Sequence, residues 1–174
     1  MFHRLRTVVS AAAVTGLAMT GFTMSAHAAP ADQADQHCAG IVSKQLDEHG
    51  ASKKLAEACS PVSIEDALAK AKASLPTTRS VQGLTLLANE YKDANYLGDV
   101  IYTWYGDGGP CDSQGYHLVN TWSVEHNVSS VTGYNSCNGL VVNDEDSVVG
   151  TFDLPCNYLG HWNDNAVAMR VYRK

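Results

Sequence analysis

Tyr91-Lys92-Asp93-Ala94-Asn95-Tyr96-Leu97-Gly98 is the stretch that decides how this chain folds. It has the form Y-x-x-x-x-Y-x-G and follows the strand-like run Leu84-Thr85-Leu86-Leu87-Ala88-Asn89. An aromatic, a polar turn, a second aromatic and a glycine suit a folded hairpin. The glycine permits a backbone conformation closed to other residues, and the two rings cover the turn. About fifty residues later the pattern returns in worn form. Leu140-Val141-Val142 enters, and Asn143-Asp144-Glu145-Asp146-Ser147-Val148-Val149-Gly150 follows. The spacing to the glycine is kept, and both aromatics are lost.

The repeat continues downstream. Pro110-Cys111-Asp112-Ser113-Gln114-Gly115-Tyr116 is echoed by Pro155-Cys156-Asn157-Tyr158-Leu159-Gly160-His161. Each copy is then expected to close on an apolar strand, the first over 124–131 and the second over 162–172. Short strands alternating with turn signals such as Gly106-Asp107-Gly108-Gly109-Pro110 and Asn138-Gly139 predict an antiparallel sandwich. Val100, Tyr102 and Trp104 alternate on one strand face, and Val148, Phe152 and Leu154 are expected in the core of the second unit.

The hairpin, coupled twice to a segment of the form N/D-N/D-x-x-S/T-S, resembles the βγ-crystallin Greek-key motif. Two such motifs make one domain, and the resemblance covers about half the chain. It rests on Tyr91, Tyr96 and Gly98, on Ser129-Ser130, and on Trp162-Asn163-Asp164. It fails at Asn143 and Val148, where aromatics are expected, and at Val167-Ala168, where hydroxyls are expected. The fold expected is mainly β: a two-motif Greek-key β-sandwich, preceded by a small α-helical N-terminal segment.

The resemblance implies calcium sites built from oxygens of both motifs, the donors a hard cation requires. The first segment, Glu125-His126-Asn127-Val128-Ser129-Ser130, keeps its hydroxyls but carries Glu and His in place of Asn or Asp. The second keeps Asn163 and Asp164 and has lost both hydroxyls. At most one calcium site is therefore expected, a weak one drawing on Asp164, Asn163 and Ser129. The competing role for these side chains is tying down their own loops.

Residues 1–28 read as a signal peptide. Arg4 and Arg6 precede an apolar middle from Val8 to Phe22, and Ala26-His27-Ala28 has the small-x-small form of a cleavage site. Its removal leaves about 145 residues and, with the loss of two arginines, takes the net charge from −6 to −8. The chain is thus read as secreted and extracellular. Its acidity gives no footprint for nucleic acid or anionic membrane.

Residues 29–80 are read as a helical N-terminal segment with a linker, and 81–174 as the crystallin-like domain. The first helix is placed over Gln36 to Cys59 with a break at His49-Gly50. The second is capped by Ser63 and runs to Leu75 before Pro76, with Glu65 and Asp66 in its first turn. Pro76-Thr77-Thr78-Arg79-Ser80 is the linker. A flexible propeptide is the competing reading of this part. All five cysteines lie after the signal peptide and are read as disulfide formers, with one thiol left over. Cys38–Cys59 would staple the first segment, contributing about 3 kcal/mol in the loop-entropy model. The remaining connectivity is not decided by sequence alone; Cys111–Cys137 is favoured, with Cys156 spare.

No catalytic pattern emerges. The histidines show no metal-protease spacing, Asp144-Glu145-Asp146 reads as a solvated turn, and there is no G-x-S-x-G elbow. The expected function is a non-enzymatic binding or structural module. The alternative comes from the resemblance, because secreted bacterial metalloprotease inhibitors use this two-motif, disulfide-linked domain. Gly108, Gly109, Pro110, Cys111 and Asp112 would form the binding loop, and the partner would be an extracellular protein or protease. Tyr105, Tyr116 and Tyr158 are candidates for an exposed aromatic face.

Overall fold

Tyr91 closes β3 (Thr85–Tyr91) and Val100 opens β4 (Val100–Gly106), with the quoted stretch folded between them. The computed structural model describes residues 36–76 and 83–174; the segment read as a signal peptide and most of the segment read as a linker lie outside them. Within the turn, Ala94–Tyr96 forms a single 3₁₀ turn, and Asn95, Tyr96 and Gly98 have φ of 60°, 60° and 69°. A Cβ on Gly98 would stand 2.5 Å from the Asp93 carboxylate, so the glycine answers to space as well as to φ. The Tyr91 and Tyr96 rings meet edge to face at 5.8 Å. Buried Ser130 latches the turn from below: its hydroxyl donates to Asp93 O at 2.7 Å and accepts from Tyr96 N at 3.1 Å.

The remaining strands are β1 (His37–Leu46), β2 (Ser52–Ser60), β5 (Tyr116–Val119), β6 (Ser130–Gly133), β7 (Gly139–Asn143), β8 (Val149–Asp153) and β9 (Ala168–Tyr172). They build two sheets, one in the order β2-β1-β4-β3-β6 and one in the order β5-β9-β7-β8. The two repeat units pair alike. β3 is antiparallel to β4 and β6, as β7 is to β8 and β9. The third element of each unit crosses over: β5 joins β9 in the opposite sheet, and Cys156 bridges to Val131 of β6.

The core lies between the sheets, where Trp104, Tyr102, Tyr116, Leu118, Leu140 and Val171 are essentially solvent-free. A smaller cluster of Ile41, Ala56, Ala71 and Leu75 packs α1 (Ile64–Ala73) onto the hairpin of β1 and β2. Ser63 caps α1, its hydroxyl accepting from Asp66 N, as the sequence predicts. Among the described residues no helix is long and apolar enough to cross a membrane.

Three expectations are corrected. Residues 36–59 are not helical: they form a β-hairpin, and β1 runs parallel to β4 from Cys38↔Tyr102 to Val42↔Gly106. The break foreseen at His49-Gly50 is its turn, where Gly50 has φ 79° and Asp47 Oδ1 accepts from His49 N and Ala51 N. Local helix preference has yielded to long-range pairing. Secondly, the strand closing the first unit begins at Ser130, because Trp122–Glu125 makes one turn of helix, α2, on the carbonyl of Thr121. Thirdly, Val148 is 45% exposed at the tip of the second hairpin, whereas Leu154 is buried and Phe152 packs edge to face on Trp162. Trp162 supplies the cover that the second hairpin lacks locally, and a Cβ on Gly150 would meet its ring at 2.9 Å.

Candidate functional site

The connection between β4 and β5 faces solvent and is anchored from several sides. Cys111 is bonded to Cys137, and its amide donates to Asn135 O at 3.0 Å. Asp107 N donates to Val42 O, and Arg173 N donates to Asp112 O at 2.8 Å. Asp112 organises the turn itself, with Oδ1 accepting from Gln114 N and Gly115 N. Lys44 of β1 reaches over to Asp112 Oδ2 at 2.9 Å and to Pro110 O at 3.1 Å. The Lys44 ammonium, with the Gly115 amide behind it, holds the Asp112 carboxyl down at about 2. Tyr116 donates its phenol proton to Gly109 O at 2.7 Å, and burial followed by the charge of Asp107 pushes that phenol up to about 12. The backbone is therefore fixed from several sides, while Asp107, Gly108, Pro110, Ser113 and Gln114 stay exposed. Such a loop can dock without first being ordered, which lowers the entropic cost of binding.

Sequence reasoning missed Lys44 and Tyr116 as anchors. Lys44 lies in the hairpin read as helix, and nothing local marks it. Tyr116, expected in an exposed aromatic face, is fully buried; Tyr105 is half-buried and Tyr158 is 52% exposed.

The three residues assigned to calcium come together along neighbouring segments, since Asp164 N donates to Val128 O at 3.0 Å. Their polar groups already make local hydrogen bonds. Ser129 is buried and its hydroxyl donates to Lys92 O at 2.7 Å, while the Asn163 amide donates to Asp164 Oδ2 at 2.6 Å. Asp164 itself sits at φ 56°, a turn conformation that Asp tolerates. One carboxylate, already bridged by an amide, fits a six- to eight-oxygen calcium shell poorly.

A different group of ligating atoms gathers nearby. His126 Nδ1 lies 3.4 Å from Glu125 Oε1, and its Nε2 lies 3.4 Å from Glu145 Oε1 on the second hairpin. The three residues offer atoms within 4.8 Å of one another, an open surface cluster of one nitrogen and two oxygens. Beside it, Asp144 is buried, accepts from Val148 N at 2.7 Å and pairs with exposed His161 Nε2 at 3.1 Å. This pair stiffens the second hairpin where the first uses tyrosines.

No family model, curated protein or solved structure matches this chain. Its reading therefore rests on its own residues. The structure joins Cys38 to Cys59 and Cys111 to Cys137, leaving Cys156 as a buried thiol beside Tyr158 O. Burial pushes that thiol up, away from the reactive thiolate form.

Proposed function

We propose that this chain is a secreted, non-catalytic binding module on a βγ-crystallin-like frame of two Greek-key motifs. The observation that carries the reading is the crossed third element: β5 of the first unit lies in the sheet of the second, and Cys156 of the second bridges back to β6. The latch of Ser130 beneath the Tyr91–Gly98 turn supports it further. In this reading Ser129, Asn163 and Asp164 act as loop ties. Thermal unfolding in EDTA and in millimolar calcium is then expected to give melting temperatures within about 1 °C, because an ion bound only to the folded state would raise the value. A rise of several degrees, lost in Asp164→Ala, would assign one calcium ion to this composite site instead.

The anchored loop favours a more specific second reading, an inhibitor of an extracellular metalloprotease. A rigid, disulfide-held loop with exposed side chains at Asp107 and Pro110 around an open Gly108 backbone is what substrate-like docking needs. Titrating a thermolysin-type protease with residues 29–174 is expected to end substrate cleavage near one-to-one stoichiometry. Replacing Gly108-Gly109-Pro110 with three serines should abolish the effect in a chain that still folds but loses about 1–2 kcal/mol, because Gly109 has φ 82°. Cleavage that continues unabated at tenfold excess of the chain removes this reading and leaves the general one.

A further inference from the structure

Leu118, Val142 and Met169 point into the core, so the alternate residues of β5, β7, β8 and β9 form the outer face of the four-stranded sheet. The register lays them in rows. One row runs from His117 through Arg170 to Val141, and the next from Val119 through Ala168 and Asn143 to Val149. With the turn at 49–51 these residues line a groove of about 440 Å³, within the range of small-ligand sites. Arg170 carries its one fixed charge. The residue is half-buried, and its guanidinium lies over the Tyr172 ring at 4.5 Å. No hydrogen bond or ion pair occupies its N–H groups among the described residues, and its nitrogens reach solvent. A guanidinium laid flat on a ring keeps its edge of donors open, the edge that grips a carboxylate by two parallel bonds.

The neighbouring carboxylates do not answer it. Asp153, one row further along the sheet, is bonded to Lys174. Glu48 has its side chain 88% exposed and turned to His49 at 3.5 Å. Burial, followed by the charge of Arg170 itself, lowers the His117 imidazole, so that ring adds no second positive charge at neutral pH. In a chain with 18 acidic residues against 12 basic ones, a guanidinium left without a carboxylate points to an anion from outside. A single cation suits a single negative charge. The valines set the rest of the ligand. Val119 is 42% and Val149 is 56% exposed, and only Ala168 and Asn143 stand between them in their row. Val149 of β8 lies two strand spacings from Arg170 of β9, about 10 Å. A chain of about eight carbons with bonds near 1.5 Å spans that distance. We propose that this face binds an aliphatic monocarboxylate, its carboxylate on Arg170 and its chain laid across Ala168 toward Val149.

The test uses ¹⁵N-labelled residues 29–174 at pH 7, titrated with octanoate to about 20 mM, a range suited to millimolar affinity. Octanoate is expected to shift the backbone signals of Val141, Ala168 and Arg170 and the Asn143 side-chain amide in a saturable way. Butyrate, too short to reach Val149, should bind at least fivefold more weakly. Arg170→Met keeps the apolar stem and removes the charge; it should weaken octanoate at least tenfold while the remaining spectrum stays in place. Val149→Ser, on the exposed edge strand, is the second variant, and it should erase the advantage of octanoate over butyrate. Silence toward octanoate, or undiminished binding by folded Arg170→Met, would overturn the site. A response to octylammonium, to inorganic phosphate or to N-acetyl-alanyl-valine that equals the response to octanoate would overturn it as well. Those outcomes would make the face a general apolar surface, a bare anion site or a seat for a peptide C-terminus.

Discussion

Raising the pH from 4.5 to 8 is expected to reduce the stability of this chain against unfolding by about 3–5 kcal/mol through one residue, and Glu90→Gln should remove that loss. Glu90 is completely buried on β3, where Trp104 Nε1 donates to its Oε1 at 2.6 Å and its Oε2 has no partner. Burial pushes this carboxyl from 4.5 up to about 8, against the opposing pull of Trp104 and the neighbouring Asn120 amide. Below pH 4.5 the folded and unfolded chains both hold the proton, and no penalty exists. Between 4.5 and 8 the unfolded chain releases its proton while the folded chain keeps it, so each pH unit costs about 1.4 kcal/mol. The loss is complete once the folded carboxyl also ionises.

The proton has a structural use. Asn120 Oδ1, after β5 of the other sheet, is also an acceptor without a donor, while its Nδ2 donates to Ala166 O at 2.9 Å. The protonated carboxyl brings into this acceptor-rich part of the core one donor that the carboxylate lacks. Glutamine has a similar shape and a donor at every pH. Urea unfolding of parent and Glu90→Gln at pH 5, 6.5 and 8 isolates the effect. Two other shifted groups change stability elsewhere or oppositely. Asp112, held at about 2, contributes stability that is lost only as the pH falls below its ordinary 3.8. Burial, with the charge of Arg170, lowers His117, which favours folding as the pH rises toward 6.5. The parent should therefore drop relative to the variant by about 3–5 kcal/mol from pH 5 to 8. Parallel curves would mean that Glu90 is ionised in the folded core.

What could be read from the sequence divides by distance along the chain. The first hairpin was legible because Tyr91, Tyr96 and Gly98 act on one another within eight residues, and the repeat because its order of turns and strands is carried by local residue types. The mainly β character and the capped start of α1 came through for the same reason. The β1–β2 hairpin was not legible. Its Ala, Lys, Glu and Leu content favours helix locally, and the partner that overrides it, β4, begins some forty residues after β2 ends. The candidate site divides similarly. The loop carrying Cys111 and Asp112 could be found from its glycines and cysteine, but its anchors Lys44 and Tyr116 could not. The calcium set divides in the same way: Ser129, Asn163 and Asp164 could be picked out by their chemistry from the sequence, whereas the hydrogen bonds that occupy Ser129 and join Asn163 to Asp164 could not.

The decisive residue in that hairpin is Gly40, and Gly40→Ala gives opposite signs under the two readings of residues 36–59. In a helix the substitution should stabilise by about 1 kcal/mol, since alanine is the better helix former. In the sheet, Gly40 sits opposite Trp104 across the parallel pair of β1 and β4. A Cβ there would stand 2.6 Å from Trp104 Cζ3 and 2.6 Å from Tyr102 Oη. Neither ring has room to retreat. They stack at 4.3 Å, Trp104 is bonded to Glu90, and the Tyr102 hydroxyl donates to Glu57 of β2. Overpacking of this kind costs about 1–3 kcal/mol, and these two bonded rings place it at the upper end. Gly50→Ala is the control, because that glycine has φ 79° with nothing within 4 Å, so only its left-handed backbone is strained, by about 1–2 kcal/mol. Urea midpoints and the near-ultraviolet dichroism of Trp104 read both variants. Gly40→Ala should lose stability and alter the tryptophan signal, whereas Gly50→Ala should lose stability and leave that signal alone. A gain in stability at Gly40 would detach the hairpin from the sheet, and with it the Lys44 anchor that holds Asp112 and Pro110 in place.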